Sequence, residues 1–264
     1  MQTVILAGGM GTRLKEETEY IPKPLVKIGP RPIIWHIMKR YANYGFKDFV
    51  ISLGYKGELI KEYFANYDIM NSDISIKLGG HNDIDDHKYI KKLGRHDESV
   101  DWNLILSNTG LDTLKGARLK RIEKYIRGDL FMATYGDGVS DVNIEELVSY
   151  HKSHGKIATL TGVFSPSRFG VLETKNNFVT RFMEKPSEIG ALVNGGYFVF
   201  HRKIFDYLSA DENCDLEFGT LEKLASENEL MVYRHRGNWY SMDTIRDVEY
   251  LNKLWQQKKA FWEN

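Results

Sequence analysis

The sequence predicts an α/β protein built on a doubly wound, mostly parallel sheet, with a smaller mixed β extension in the C-terminal half. Three observations predict it. Short apolar runs alternate with amphipathic stretches through residues 1–155, the pattern of strands crossing over to parallel neighbours. A glycine-rich turn follows the first apolar run directly. After residue 156 the strand-like runs follow one another with short gaps, which fits antiparallel or mixed pairing better than further crossover units.

The elements read in order as follows. Thr3 to Leu6 is a short buried strand. Pro32 can open a helix in which Ile33, Ile34, Ile37, Met38 and Tyr41 share one face, and Gly45 can close it. Phe49 to Leu53 is a strand, Glu58 to Tyr67 a helix, and Ile74 to Leu78 and Trp102 to Leu106 are strands. Arg118 to Ile126 is helical, with Leu119, Ile122 and Ile126 aligned. The strand Leu130 to Tyr135 and the helix Val142 to His154 follow. The second half offers strands at Ile157 to Val163, Gly170 to Glu173, Phe178 to Met183 and Gly196 to Phe200. A helix from about Leu216 to Ser226, a strand at Met231 to His235 and a last helix from Thr244 complete the chain, Thr244 and Asp247 forming a capping box. His151 and His154 read as a solvated helix face. The segment Gly79 to Asp101, rich in Asp and His, reads as an exposed insertion, because its spacing matches no metal-ligand pattern.

Composition narrows the function classes. The 264 residues fit one large domain, with 42% hydrophobic and 27% charged residues. Lysines plus arginines number 36 and so do the acids, so no charge excess favours nucleic acid or an anionic membrane. One cysteine, Cys214, permits no internal disulfide and suits a reducing cytoplasm. No apolar run approaches a membrane span, and Met1 sits almost on the first strand with no basic leader, so no signal peptide is expected.

The chemistry-bearing residues cluster at strand ends, where open α/β sheets bind ligands. Gly8, Gly9 and Gly11 follow strand one in LAGGMGTRL, the stretch from Leu6 to Leu14. The turn is either structural or a phosphate cradle of backbone N–H groups. Arg13 offers a planar fork for phosphate, and Lys23 offers a point charge stiffened by Pro22 and Pro24. The stretch is not a P-loop, and Leu14 stands where a dinucleotide fingerprint needs its third glycine, which argues against a nicotinamide oxidoreductase. Asp137, between Gly136 and Gly138 at a strand's end, is a turn residue or a magnesium ligand. Asp243, just before the last helix, is a helix-start acid or a second ligand.

Taken together these motifs resemble the sugar-phosphate nucleotidyltransferase superfamily. Within it the chain is most similar to the branch that joins CTP to glucose 1-phosphate. The closer resemblance rests on Ile21-Pro-Lys-Pro-Leu-Val26, Arg31-Pro-Ile-Ile-Trp-His-Ile-Met38, Gly54-Tyr-Lys-Gly57, Lys61-Glu-Tyr-Phe-Ala-Asn66 and Gly116-Ala-Arg-Leu-Lys-Arg121. It continues through Thr134-Tyr-Gly-Asp-Gly-Val139, Arg168-Phe-Gly170, Glu184-Lys-Pro186, Asn194-Gly-Gly196 and Met242-Asp-Thr244, so it spans nearly the whole chain in order.

The resemblance implies one nucleotidyltransferase domain over 1–264, with a nucleotide-binding part at 1–155 and an acceptor-binding, β-rich part at 156–264. It implies that Leu6, Gly8, Gly9, Gly11, Thr12, Arg13, Thr109, Gly110 and Arg118 hold the nucleotide. Arg13 and Lys23 would be catalytic, and Asp137 and Asp243 would bind Mg2+. Tyr135, Glu184, Lys185, Asn194 and Gly195 would contact the sugar 1-phosphate. A cytoplasmic homo-oligomer is implied, acting on small molecules. The stretch Asp215-Leu-Glu-Phe-Gly-Thr220 departs from the pattern where the acceptor pocket is expected, and Tyr20-Ile21 stands where relatives carry Lys-Pro. Another sugar 1-phosphate, or a different phosphate or phosphonate acceptor, therefore stays open. So does a non-catalytic regulatory member of the same fold, although retention of Arg13, Lys23, Asp137 and Asp243 argues against it.

Overall fold

In the computed structural model, residues 1–77, 90–93, 100–165, 171–175, 178–183 and 191–263 are described. The first strand, β1 (Thr3–Ala7), leads through the glycine turn into α1 (Lys15–Thr18), and a small ladder of β2 (Lys27–Ile28) and β3 (Arg31–Pro32) precedes α2 (Ile33–Asn43). Pro32 sits in the extended N-cap position of α2, where its missing N–H costs nothing. Next come β4 (Asp48–Leu53), α3 (Gly57–Ala65), α4 (Tyr67–Met70), the hairpin of β5 (Asp73–Ile76) with β6 (Ile90–Leu93), and β7 (Asn103–Asn108). After α5 (Lys115–Arg121) and β8 (Leu130–Tyr135) come β9 (Gly138–Ser140) and α6 (Ile144–His154).

The second half contributes β10 (Ala158–Ser165), the hairpin of β11 (Val171–Lys175) with β12 (Phe178–Met183), and β13 (Ala191–His201). It ends with α7 (Glu222–Ser226), β14 (Leu230–His235), β15 (Trp239–Ser241) and α8 (Ile245–Gln256). The central sheet has seven strands in the order β14-β10-β13-β8-β1-β4-β7. The β8, β1, β4 and β7 pairings are parallel, and β13 runs antiparallel to both β8 and β10. Of the β extension expected of the second half, β10, β13 and β14 complete the same sheet, while β11 and β12 form a two-stranded sheet of their own.

Alternation along each strand explains the two layers. On β1, Ile5 and Ala7 pack into a core with Ile34, Met38, Phe49 and Trp262, while Val4 and Leu6 enter a second core with Val50, Leu119, Phe131 and Phe200. Each fully buried aliphatic side chain here stabilises the fold by roughly 1.5–3 kcal/mol. Ile5→Ala would open a cavity between sheet and α2, costing roughly 2–5 kcal/mol.

Three local expectations need correction. The helix placed at Arg118 to Ile126 begins at Lys115, and a tight 3-10 turn, Glu123–Tyr125, replaces its end. Gly116 lies inside the helix because a Cβ there would approach the Cys214 carbonyl oxygen to 2.8 Å. The helix expected from Leu216 to Ser226 is broken at Phe218 and Gly219, where Gly219 takes φ 98°, so a regular helix covers only Glu222–Ser226. Finally, His151 is buried rather than solvated. His151 Nδ1 lies 2.9 Å and His154 Nε2 2.8 Å from the Thr159 hydroxyl on β10. His154 Nδ1 accepts the Lys156 N–H, so His154 donates through Nε2 and the threonine hydroxyl donates to His151. The Asp- and His-rich stretch falls largely outside the described residues. Among those described, no cluster of three or more His, Cys, Asp or Glu could hold a metal, and no helix is long and apolar enough to cross a membrane.

Candidate active site

At the carboxyl ends of β1 and β8 lies a cavity of about 510 Å³. Its floor is the glycine turn. Gly9 faces open space, whereas a Cβ on Gly8 would fall 2.1 Å from Arg118 Nη1, so only glycine lets the chain pass the guanidinium. Gly11 takes φ 64°, reversing the chain into Thr12 and Arg13.

Arg118 is 3% exposed and makes its contacts with the protein. Nη2 donates to the carbonyls of Gly8 and Leu111, each at 3.0 Å. Nη1 donates to Leu53 at 3.1 Å and to Gly110 and the Thr109 hydroxyl at 2.8 Å. The guanidinium therefore ties the glycine turn to the ends of β4 and β7. Burial, with a smaller push from Arg121, lowers its pKa.

The acids are brought together by a ladder the sequence pattern did not reveal. Strand β9 pairs with β15, Gly138 opposite Ser241, and the Met242 N–H donates to the Asp137 carbonyl at 2.9 Å. This places Asp137 and Asp243 on either side of one ammonium. Lys23 Nζ donates to Asp137 Oδ2 at 2.6 Å and to Asp243 Oδ1 at 2.8 Å. Arg13 Nη2 reaches the same Asp243 oxygen at 2.9 Å, and the Ser241 hydroxyl donates to its other oxygen at 3.0 Å. The backbone of Asp243 is fixed by α8, since Asp247 Oδ2 accepts its N–H at 3.0 Å as well as that of Thr244 at 2.8 Å. Burial works to raise the Asp243 carboxyl, but Lys23, Arg13 and Ser241 together hold it below the usual carboxylate range.

The opposite wall is polar and aromatic. The Tyr135 hydroxyl donates to Glu217 Oε1 and accepts from Asn194 Nδ2 at 3.1 Å. Burial, reinforced by Glu217, pushes the Tyr135 phenol well above its ordinary pKa, so it stays a donor. Lys115 Nζ bonds the same Glu217 oxygen at 2.5 Å and lies 5.1 Å from the centre of the Tyr135 ring.

Of the residues singled out from sequence, Leu6, Gly8, Gly9, Gly11, Thr12, Arg13, Lys23, Arg118, Tyr135, Asn194, Asp137 and Asp243 all line this cavity. Thr109, Gly110 and Gly195 stand behind the lining. Thr109 is 1% exposed and donates to the Leu53 carbonyl at 2.7 Å, and the Gly195 carbonyl accepts from Trp239 Nε1 at 2.7 Å. Glu184 and Lys185 lie outside the described residues. Pro24, Thr113, Leu114, Lys115, Trp239 and Ser241 also line the cavity but were not foreseen. Only Lys115 and Ser241 carried a signal, as polar neighbours of motifs already marked.

A glycine turn, a lysine gripped by two carboxylates and a pocket at the parallel strand ends define a nucleotide-handling α/β protein. Comparison with known families makes this specific: residues 2–258 match nucleotidyl transferase, and the chain belongs to that family. It is 46% identical over 265 residues to a glucose-1-phosphate cytidylyltransferase of Salmonella typhimurium, covering 100% of this chain and 99% of the relative. The fold is shared with HddC from Yersinia pseudotuberculosis complexed with GMP-PN, at TM-score 0.67 and 20% identity over 96% of this chain and 99% of the other. It is also shared with a UDP-glucose pyrophosphorylase complexed with UDP-glucose, at TM-score 0.65 and 16% identity over 97% and 98%.

Proposed function

We propose that this chain transfers a cytidylyl group from CTP to α-D-glucose 1-phosphate, giving CDP-glucose and pyrophosphate. The observation that carries the reading is the full-length 46% identity to a glucose-1-phosphate cytidylyltransferase. Lys23 set between Asp137 and Asp243 beside the glycine turn is the arrangement such chemistry needs.

A phosphate oxygen of the acceptor attacks the α-phosphorus of CTP in line, that new P–O bond forms, and the bond to the pyrophosphate oxygen breaks. The acceptor phosphate is already anionic, so no protein nucleophile or base is required. The barrier comes from bringing two anions together. The backbone of Gly8, Gly9, Gly11 and Thr12 cradles the triphosphate, with Arg13 as its fork. Lys23 stabilises charge growing on the α-phosphate. Arg118, in the cavity lining, acts by fixing Gly8, and Thr109 and Gly110 act from behind by shaping the turn beside it. Tyr135 and Asn194 form the acceptor wall, with Gly195 behind them, and Glu184 and Lys185 belong to the same acceptor set. Residues 1–155 thus serve mainly the nucleotide and 156–264 the acceptor.

A divalent cation, magnesium in this reading, suits Asp137 and Asp243. The two carboxylates already converge on a single cationic atom, and two carboxylates with phosphate oxygens and water make an ordinary magnesium shell. When bound it would neutralise phosphate charge.

The test is pyrophosphate release by the purified protein, with CTP, UTP, dTTP or ATP offered against glucose 1-phosphate and a panel of other phosphate and phosphonate acceptors. Release with CTP and glucose 1-phosphate, dependent on divalent metal, is expected. Preference for another nucleotide or another acceptor, or no release at all, would overturn the assignment.

A further inference from the structure

We infer that Lys115 is a further substrate-contacting cation, presented by Glu217 and Tyr135 to grip the phosphate of the acceptor; this rests on the sugar-phosphate reading above. Four cationic side chains line the cavity among the described residues. Lys23 is engaged by both acids, Arg13 by Asp243, and Arg118 by four backbone carbonyls and the Thr109 hydroxyl. Lys115 differs from them in position. It opens α5 on the side of Tyr135 and Asn194, and its side chain is 42% exposed. Its acidic partner, Glu217, is not part of the cavity lining. An ammonium has three donors, and Glu217 takes one of them, which leaves two for a ligand.

The support behind Lys115 is built for position. One oxygen of Glu217 takes both the Lys115 ammonium and the Tyr135 hydroxyl, while Oε2 is buried with no partner among the described residues. A buried carboxylate oxygen left without a partner weakens the fold. A pair selected for stability alone would employ both oxygens. Glu217 is therefore a positioning residue: it holds the lysine over the Tyr135 ring, at the acceptor end of a cavity where two anions must meet. The cation–π contact favours the same placement. Glu217 lies in the 215–220 stretch, so the departure seen there in the sequence bears on acceptor binding.

The experiment compares steady-state kinetics of wild type, Lys115→Ala, Lys115→Gln, Lys115→Arg and Glu217→Gln, varying CTP and glucose 1-phosphate separately. Losing a charge-assisted contact should raise the KM for glucose 1-phosphate by about tenfold to a hundredfold in Lys115→Ala and Lys115→Gln. The KM for CTP should stay in place, and Lys115→Arg should recover much of the loss. Glu217→Gln should raise the same KM by a smaller factor. Added salt should weaken acceptor binding in wild type more than in Lys115→Gln. An unchanged acceptor KM in an active Lys115→Ala, or a rise confined to CTP, would overturn this inference and leave the reading above intact. A wild type inactive with every acceptor would instead end that reading, and this role with it. The exposed position makes all three lysine variants compatible with folding, which thermal unfolding checks.

Discussion

Replacing Lys23 by alanine removes the one group that, among the described residues, bonds both site acids, and the structure sets the size of two effects. The first is on stability. Breaking a fully buried ion pair costs about 3–5 kcal/mol. Here the Asp137 side chain is 28% exposed and Asp243 keeps Arg13 and Ser241, so a loss of about 2–3 kcal/mol is expected at neutral pH. The second is on rate. Lys23 is the buried donor nearest the two acids, and removal of a transition-state donor lowers turnover by roughly a hundredfold or more. The two effects separate in one respect. Left without their shared ammonium, the carboxylates should take a divalent ion more readily, so magnesium should raise the unfolding temperature of the variant more than that of wild type. The assays are pyrophosphate release at saturating CTP and glucose 1-phosphate, and thermal unfolding with and without magnesium. Turnover close to wild type would remove Lys23 from the mechanism. Equal magnesium stabilisation of both proteins would show that the lysine does not compete for the acids.

Asp243→Asn should retain the fold, because the amide oxygen can still accept from Lys23 and Arg13 while the amide nitrogen can donate to the Ser241 hydroxyl, yet lower turnover by about a hundredfold; kinetics near wild type would contradict its assigned role. Gly8→Ala should drive the Arg118 guanidinium from its carbonyl partners and raise the KM for CTP by about tenfold to a hundredfold, since its Cβ would lie 2.1 Å from Nη1; unchanged CTP binding, measured by calorimetry, would refute the tie between Arg118 and the turn. Burial, then the neighbouring histidines, holds His151 at about 4 against an ordinary 6.5, so the unfolded chain binds the proton first as pH falls. Its contribution is complete above pH 6.5 and is lost toward pH 4, about 3 kcal/mol at about 1.36 kcal/mol per pH unit. Denaturant titrations should show that slope, and His151→Leu should flatten it.

The parts of the fold that were legible in the sequence are those with strong local periodicity. Strand β8 and the capping box of α8 fall where the pattern put them, since apolar alternation and a Thr-x-x-Asp start act within a few residues. The α5 boundary was misplaced because Gly116 serves packing against Cys214 and Asp215, far away in sequence. His151 was misread for a related reason: helical spacing gives a face, but only the sheet partner Thr159 makes that face an interior one. The residues proposed to act in the site stood out near strand ends. Their convergence did not, because β9 and β15 are three residues each and their pairing is entirely non-local. The motif around Arg118 marks it for the nucleotide, and the fold engages its guanidinium in holding backbone carbonyls.

In the proposed reaction Asp137 and Asp243 share one cation while the Gly8–Arg13 turn holds a nucleoside triphosphate across from them. A crystal structure with a non-hydrolysable CTP analogue and magnesium tests it directly. One metal ion touching both carboxylates and the nucleotide phosphates is expected, with Lys23 released to the α-phosphate. A metal bound elsewhere, or a triphosphate lying outside the cavity with Lys23 still bridging the acids, would contradict it.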